Sequence, residues 1–164
     1  VSGTAWGDGN VSWPAFDSNG DPNAFTNAEL GQIEAIWGAV SEDFAPFNVD
    51  VTTINQITAN TANSSYIRVA IGGSGEEVLN ITGAGGIAYV GVFGEPDLQY
   101  QPAFVFPMDL CMGGNITCFE GPKYVWEATS HEVSLGGTQA CLERCILARY
   151  VVYIYIVSIY SIYI

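Results

Sequence analysis

The last fifteen residues, Tyr150 to Ile164, consist of Tyr, Ile, Val and Ser alone, and no other stretch limits the architecture as sharply. A run without charge suggests a membrane anchor. It falls short of the roughly 20 apolar residues that a spanning helix needs, and its β-branched and tyrosine content favours extended strands. Left exposed, such a segment is a template for β-aggregation. A packed domain cannot easily use it, so the sequence sets this tail apart from the rest of the chain, packed opportunistically or left without order.

Upstream, the signals change from loop to helix to strand. The stretch from Asp8 to Asn27 is rich in Gly, Asn, Asp and Pro and reads as loop. Within it Asp17-Ser18-Asn19-Gly20-Asp21 spaces oxygen ligands as a calcium loop does. Pro22 stands where an EF-hand needs Gly, and Ala28 where it needs Glu, which favours a plain Asx-rich turn. Thr26-Asn27-Ala28-Glu29 spells a capping box, and Leu30, Ile33, Ile36, Trp37, Val40 and Phe44 follow at helical spacing, so a helix is predicted over 27–44, ended by Pro46. Strands are predicted at Val49–Thr52, Ile67–Ile71, Ile87–Phe93 and, more briefly, Ala103–Phe106. Helical character returns from Lys123 to Val133. This order argues for an α+β fold, a mixed twisted sheet packed on two helices.

Seventeen acidic residues against four basic ones give a net charge of −13. That field repels phosphate backbones and anionic membrane surfaces, which argues against a nucleic-acid partner. Charged residues make up only 13% of the chain, leaving the neutral polar surface common in extracellular proteins. Four N-x-S/T sequons, at Asn10, Asn63, Asn80 and Asn115, point the same way as glycosylation acceptors, although each alone also reads as ordinary polar loop. Cys111 and Cys118 bracket a short Gly-containing segment. A local disulfide closing it suits an oxidising compartment; free or metal-binding thiols are the alternative. The chain begins Val1-Ser2-Gly3-Thr4 with nothing like a signal peptide, as expected if a leader has been removed or the sequence starts inside the protein.

The single histidine, His131, is followed directly by Glu132. A zinc peptidase needs two His on successive turns of one helix, with Glu after the first, so that both imidazoles reach one metal and the carboxylate can act as base toward its water. Only the His-Glu half is present, and a lone His is more often structural. The surrounding chain adds weight. The blocks Phe25-Thr26-Asn27-Ala28-Glu29-Leu30, Glu42-Asp43-Phe44-Ala45-Pro46-Phe47-Asn48-Val49-Asp50-Val51-Thr52-Thr53, Arg68-Val69-Ala70-Ile71-Gly72-Gly73, Gly85-Gly86-Ile87-Ala88-Tyr89-Val90-Gly91 and Lys123-Tyr124-Val125-Trp126-Glu127-Ala128-Thr129-Ser130-His131-Glu132-Val133 resemble, in order, a family of secreted metzincin-like zinc metallopeptidases.

That resemblance implies a metzincin-like N-terminal subdomain over 1–133, a peptide or protein substrate, secretion, and a Zn2+ cofactor in the intact family member. In such relatives the helix continues as HExxHxxGxxH. By position His131 matches the first ligand and Glu132 the general base, whereas the second ligand falls on Leu135, the Gly on Thr138 and the third ligand on Cys141. With two of three ligands replaced, stable zinc binding and peptidase activity are not expected of this chain. The resemblance also suggests that strand Ala103–Phe106 is the edge that aligns extended substrate.

The match stops after Val133, and the family's C-terminal subdomain, with its Met-containing turn, has no counterpart and is missing or replaced. Val-Ser can be encoded as GTG AGT, the start of an intron, and Tyr-Ile repeats by an AT dinucleotide repeat, so 134–164 reads as translated intron or frameshift product. A true pseudo-enzyme with a divergent tail is the alternative. Two further functional readings stand beside the peptidase: a non-catalytic extracellular glycoprotein binding module and a purely structural glycoprotein. Cys141 and Cys145 form a C-x3-C spacing that lies in the suspect tail and carries no weight.

Overall fold

The computed structural model describes residue 6, residues 13–54, 66–92, 100, 102–110, 123–136 and 150–156. Helix α1 (Asn27–Phe44) starts where its capping box places it. The Thr26 hydroxyl accepts the Glu29 amide at 3.3 Å, and the Glu29 carboxylate accepts the Thr26 amide at 2.8 Å. Ile36, Val40 and Phe44 are buried on one face. The helix ends at Ala45, whose amide turns back to the Glu42 carbonyl just before Pro46. Leu30 and Trp37, which the helical spacing had placed in the apolar stripe, are 49% and 41% exposed. Trp37 instead donates its indole N–H to the Val51 carbonyl at 2.8 Å.

That carbonyl belongs to β1 (Val49–Thr52), an outer strand of a five-stranded sheet. The others are β2 (Tyr66–Ile71), β3 (Gly86–Ile87), β4 (Ala103–Val105) and β5 (Tyr150–Ile156), in the order β1-β5-β2-β4-β3. All neighbours run parallel except β3, which lies antiparallel on β4 with Gly86 opposite Val105. The tail therefore supplies a strand between β1 and β2: Val51 pairs with Val152, and Val69 with Ile154. This corrects, for 150–156, the expectation that a packed domain has little use for the segment. Parallel strands inside a sheet read as near-continuous apolar runs, and the uncharged, β-branched composition meets that requirement.

Period-two alternation sends β2 and β4 into two cores. Ile67, Val69, Ile71, Ala103 and Val105 pack with α1 and with Val125 and Val133 of α4 (Lys123–Gly136). Ala70 and Phe104 face the other way, toward Phe106, Val78 and Leu79, with Trp6 and Trp13 laid over them. Phe104 is the hub of this second face, its ring 4.2 Å from Trp13 and 5.1 Å from Trp6, centroid to centroid. The chain is thus α+β.

Three differences from the sequence reading have local causes. Strand pairing at 87 stops after Ile87 because Val90-Gly91 turns, with Gly91 at φ 76° and its amide bonded to the Leu135 carbonyl at 3.0 Å; Phe93 lies outside the described residues. Two short helices, α2 (Gly75–Leu79) and α3 (Pro107–Leu110), were not anticipated. Ser74 caps α2 by accepting the Glu77 amide, and the Asp109 carboxylate accepts the Gly75 amide. Finally, β4 is an interior strand between β2 and β3, fully buried, and not the expected edge; that place falls to β3. Among the described residues no helix is long and apolar enough to cross a membrane.

Candidate functional site

Helix α4 carries His131 and Glu132, and continues through Leu135, past the point where the family resemblance ends. Val125, Thr129, Glu132 and Val133 fall on its buried face. Thr129 satisfies its hydroxyl on the Val125 carbonyl at 2.7 Å, a local bond that lets a polar side chain sit inside. Ser130 donates to Asp43 at 2.6 Å and ties α4 to the end of α1. The rotation that buries these residues turns His131 outward, its side chain 67% exposed, while the Glu132 side chain is 7% exposed.

Glu132 reaches under β3. A Cβ on Gly86 would stand 2.8 Å from Glu132 Oε1, 2.9 Å from its Cγ and 2.9 Å from the Phe104 carbonyl oxygen, so only glycine admits the carboxyl at this depth. Its Oε1 lies 3.4 Å from His131 Nδ1, a long contact, and Oε2 is buried with no hydrogen-bond partner among the described residues. Burial pushes the Glu132 carboxyl above its ordinary range, and the contact with His131 offsets only part of that. Sequence reasoning found Glu132 but missed Gly86. The Gly85-Gly86 pair ahead of an apolar run was the available signal, since glycine inside a strand marks a close approach.

Among the described residues, the donors around His131 do not make up a zinc site. Leu135, one turn beyond His131 and half-buried, offers no ligand atom, and among the described residues no three His, Cys, Asp or Glu side chains gather at a point. Thr138 and Cys141 lie outside the described residues, as do Cys111, Cys118, Asn10, Asn63 and Asn115. Asn80 is described, exposed at the C-terminal end of α2.

The Asp17–Asp21 loop turns its oxygens inward. Asp17 Oδ1 accepts the amides of Asn19 and Gly20, and Asn19 Oδ1 accepts that of Asp21 at 2.7 Å, which is an Asx-turn arrangement. No family model, curated protein or solved structure matches the chain.

Proposed function

We propose that this chain derives from the catalytic domain of a secreted zinc metalloendopeptidase and that, lacking two of three ligand histidines, it does not hydrolyse peptides. The single observation that carries the reading is the placement of Glu132. It is a buried carboxyl, raised by its surroundings, one residue from the only histidine and directly beneath the outer strand β3. Carboxyls with such a shift concentrate at sites of proton transfer. The edge of β3, which has no further strand beside it among the described residues, is where an extended peptide could add by main-chain hydrogen bonds.

Two features support the inactive half of the proposal. Leu135 occupies the helical position one turn beyond His131, and Glu132 Oε2 is sealed from solvent in the described conformation. No step through a metal follows from these residues, and Glu132 has no proton to take while it lies under β3.

The test restores what the pattern lacks. Leu135→His, Thr138→Gly and Cys141→His combined are expected to bind one zinc per chain, with binding lost on adding His131→Ala, and to cleave casein weakly; the unaltered chain is expected to do neither. A folded triple variant that takes up no zinc would sink the reading. A transcript that keeps Leu135 and Cys141 throughout would favour the non-catalytic binding module instead.

A further inference from the structure

Of the four sequons, Asn80-Ile81-Thr82 is the one whose surroundings are described. Asn80 ends α2 in the left-handed region, φ 57° and ψ 37°, and is the one non-glycine residue with positive φ among the described residues. Asparagine tolerates this conformation where most residues do not. Its backbone is held firmly: the Asn80 amide donates to the Glu76 carbonyl and the Ile81 amide to the Gly75 carbonyl, both at 3.0 Å. The side chains of Asn80 and Thr82 have no hydrogen bond among the described residues, and both residues are exposed. Gly83, again at positive φ, follows Thr82.

We propose that Asn80 is an N-glycosylation site. The donor would be an oligosaccharide linked to a polyprenyl diphosphate. The Asn80 side-chain nitrogen forms a bond to the anomeric carbon and loses one proton, and the sugar–oxygen bond breaks as the lipid diphosphate leaves with its electron pair. A glycan is added before the chain has folded, so the native structure must leave room for it. A left-handed cap with an outward amide does so without disturbing a packed side chain. The neighbouring backbone bonds keep the turn in place after the side chain is modified, because they use the Asn80 and Ile81 main-chain amides and not the Asn80 side chain.

This proposal rests on the secreted character of the reading above. Its test therefore supplies the compartment separately, by fusing a cleavable secretory leader to the chain and translating it with microsomes. Peptide mass spectrometry of the leader-cleaved product, before and after a peptide-N-glycosidase that converts the linked Asn to Asp, is expected to find Asn80 occupied. Asn80→Gly should keep the left-handed turn and lose one glycan, Thr82→Ala should lose the same glycan, and Thr82→Ser should keep it. Leader-cleaved chains carrying an unmodified Asn80 would overturn the proposal. Zinc binding and proteolysis enter neither outcome, so a failed peptidase reading leaves the result intact.

Discussion

Glu29 and Glu132 are both glutamates in helices and both buried, at 1% and 5% exposure, yet their surroundings are opposite. Glu29 sits in the first turn of α1 and accepts four hydrogen bonds: from the amides of Ser18 and Thr26, the Thr26 hydroxyl and the Asn19 side chain, at 2.8–3.0 Å. Burial works to raise its pKa, but the Ser18 and Thr26 donors outweigh it and hold the carboxyl below the usual range. Glu132 lies near the end of α4 with one long contact and one oxygen that has no partner among the described residues, and its pKa moves up. The comparison separates a carboxylate the fold uses as a fastener from one the fold tolerates at a cost. A buried polar group that the structure does not satisfy calls for a reason other than stability.

The largest expected effect lies on the fastened side. Glu29→Ala removes a helix cap and leaves the amides of Ser18 and Thr26 without their acceptor, which is expected to destabilise the fold by roughly 3 kcal/mol in denaturant unfolding. Because its pKa is depressed in the fold, the stability Glu29 contributes is present above the unfolded carboxyl pKa and lost as pH falls through the folded one. The gap between wild type and Glu29→Ala should therefore narrow on acidification. A variant losing less than half a kcal/mol would show that the loop around Asp17 does not depend on this carboxylate.

The next effect tests the space around Glu132. Gly86→Ala places a methyl against Glu132 and the Phe104 carbonyl, and one of the two must move. Overpacking of this kind is expected to cost about 2 kcal/mol. If displacement of Glu132 is the relief, Gly86→Ala combined with Glu132→Ala should recover most of the loss, measured as a double-mutant cycle. Purely additive losses would place the strain on the β3–β4 backbone instead.

These two sites also differ in how far the sequence disclosed them. Glu29 was readable as the fourth residue of Thr26-Asn27-Ala28-Glu29, because a capping box is a contact between residues three apart. Its further bonds to Ser18 and Asn19 were not, since they need the loop to fold back. Helix α1 and strand β1 were found at their observed bounds for the same reason: their signals are local. The position of Glu132 beneath Gly86 depends on a pairing across the sheet, as does the entry of β5 between β1 and β2. Composition marked Tyr150–Ile156 as strand-forming but could not say which strands would flank it. Helix α2 was missed although Ser74 and Glu77 carried a cap signal, because Gly75 and its glycine neighbours argued for loop.

The smallest effect has the opposite sign and bears most directly on the contrast. Glu132→Gln keeps the shape of the side chain and removes the charge that burial penalises. At neutral pH it is expected to raise stability by about 1 kcal/mol, read as an increase in Tm. A carboxyl whose folded pKa is raised has its stability contribution intact below the unfolded pKa, and loses it as pH rises through the folded one. The advantage of Glu132→Gln should accordingly shrink as pH falls toward the ordinary glutamate range of about 4. Glu29, held below the usual range, is common to both chains and cancels in the difference. A Glu132→Gln chain that is less stable than wild type at neutral pH would mean that the carboxylate has a favourable partner in solution. Glu132 would then be a second fastener like Glu29, and its burial beneath β3 would cease to support a chemical role.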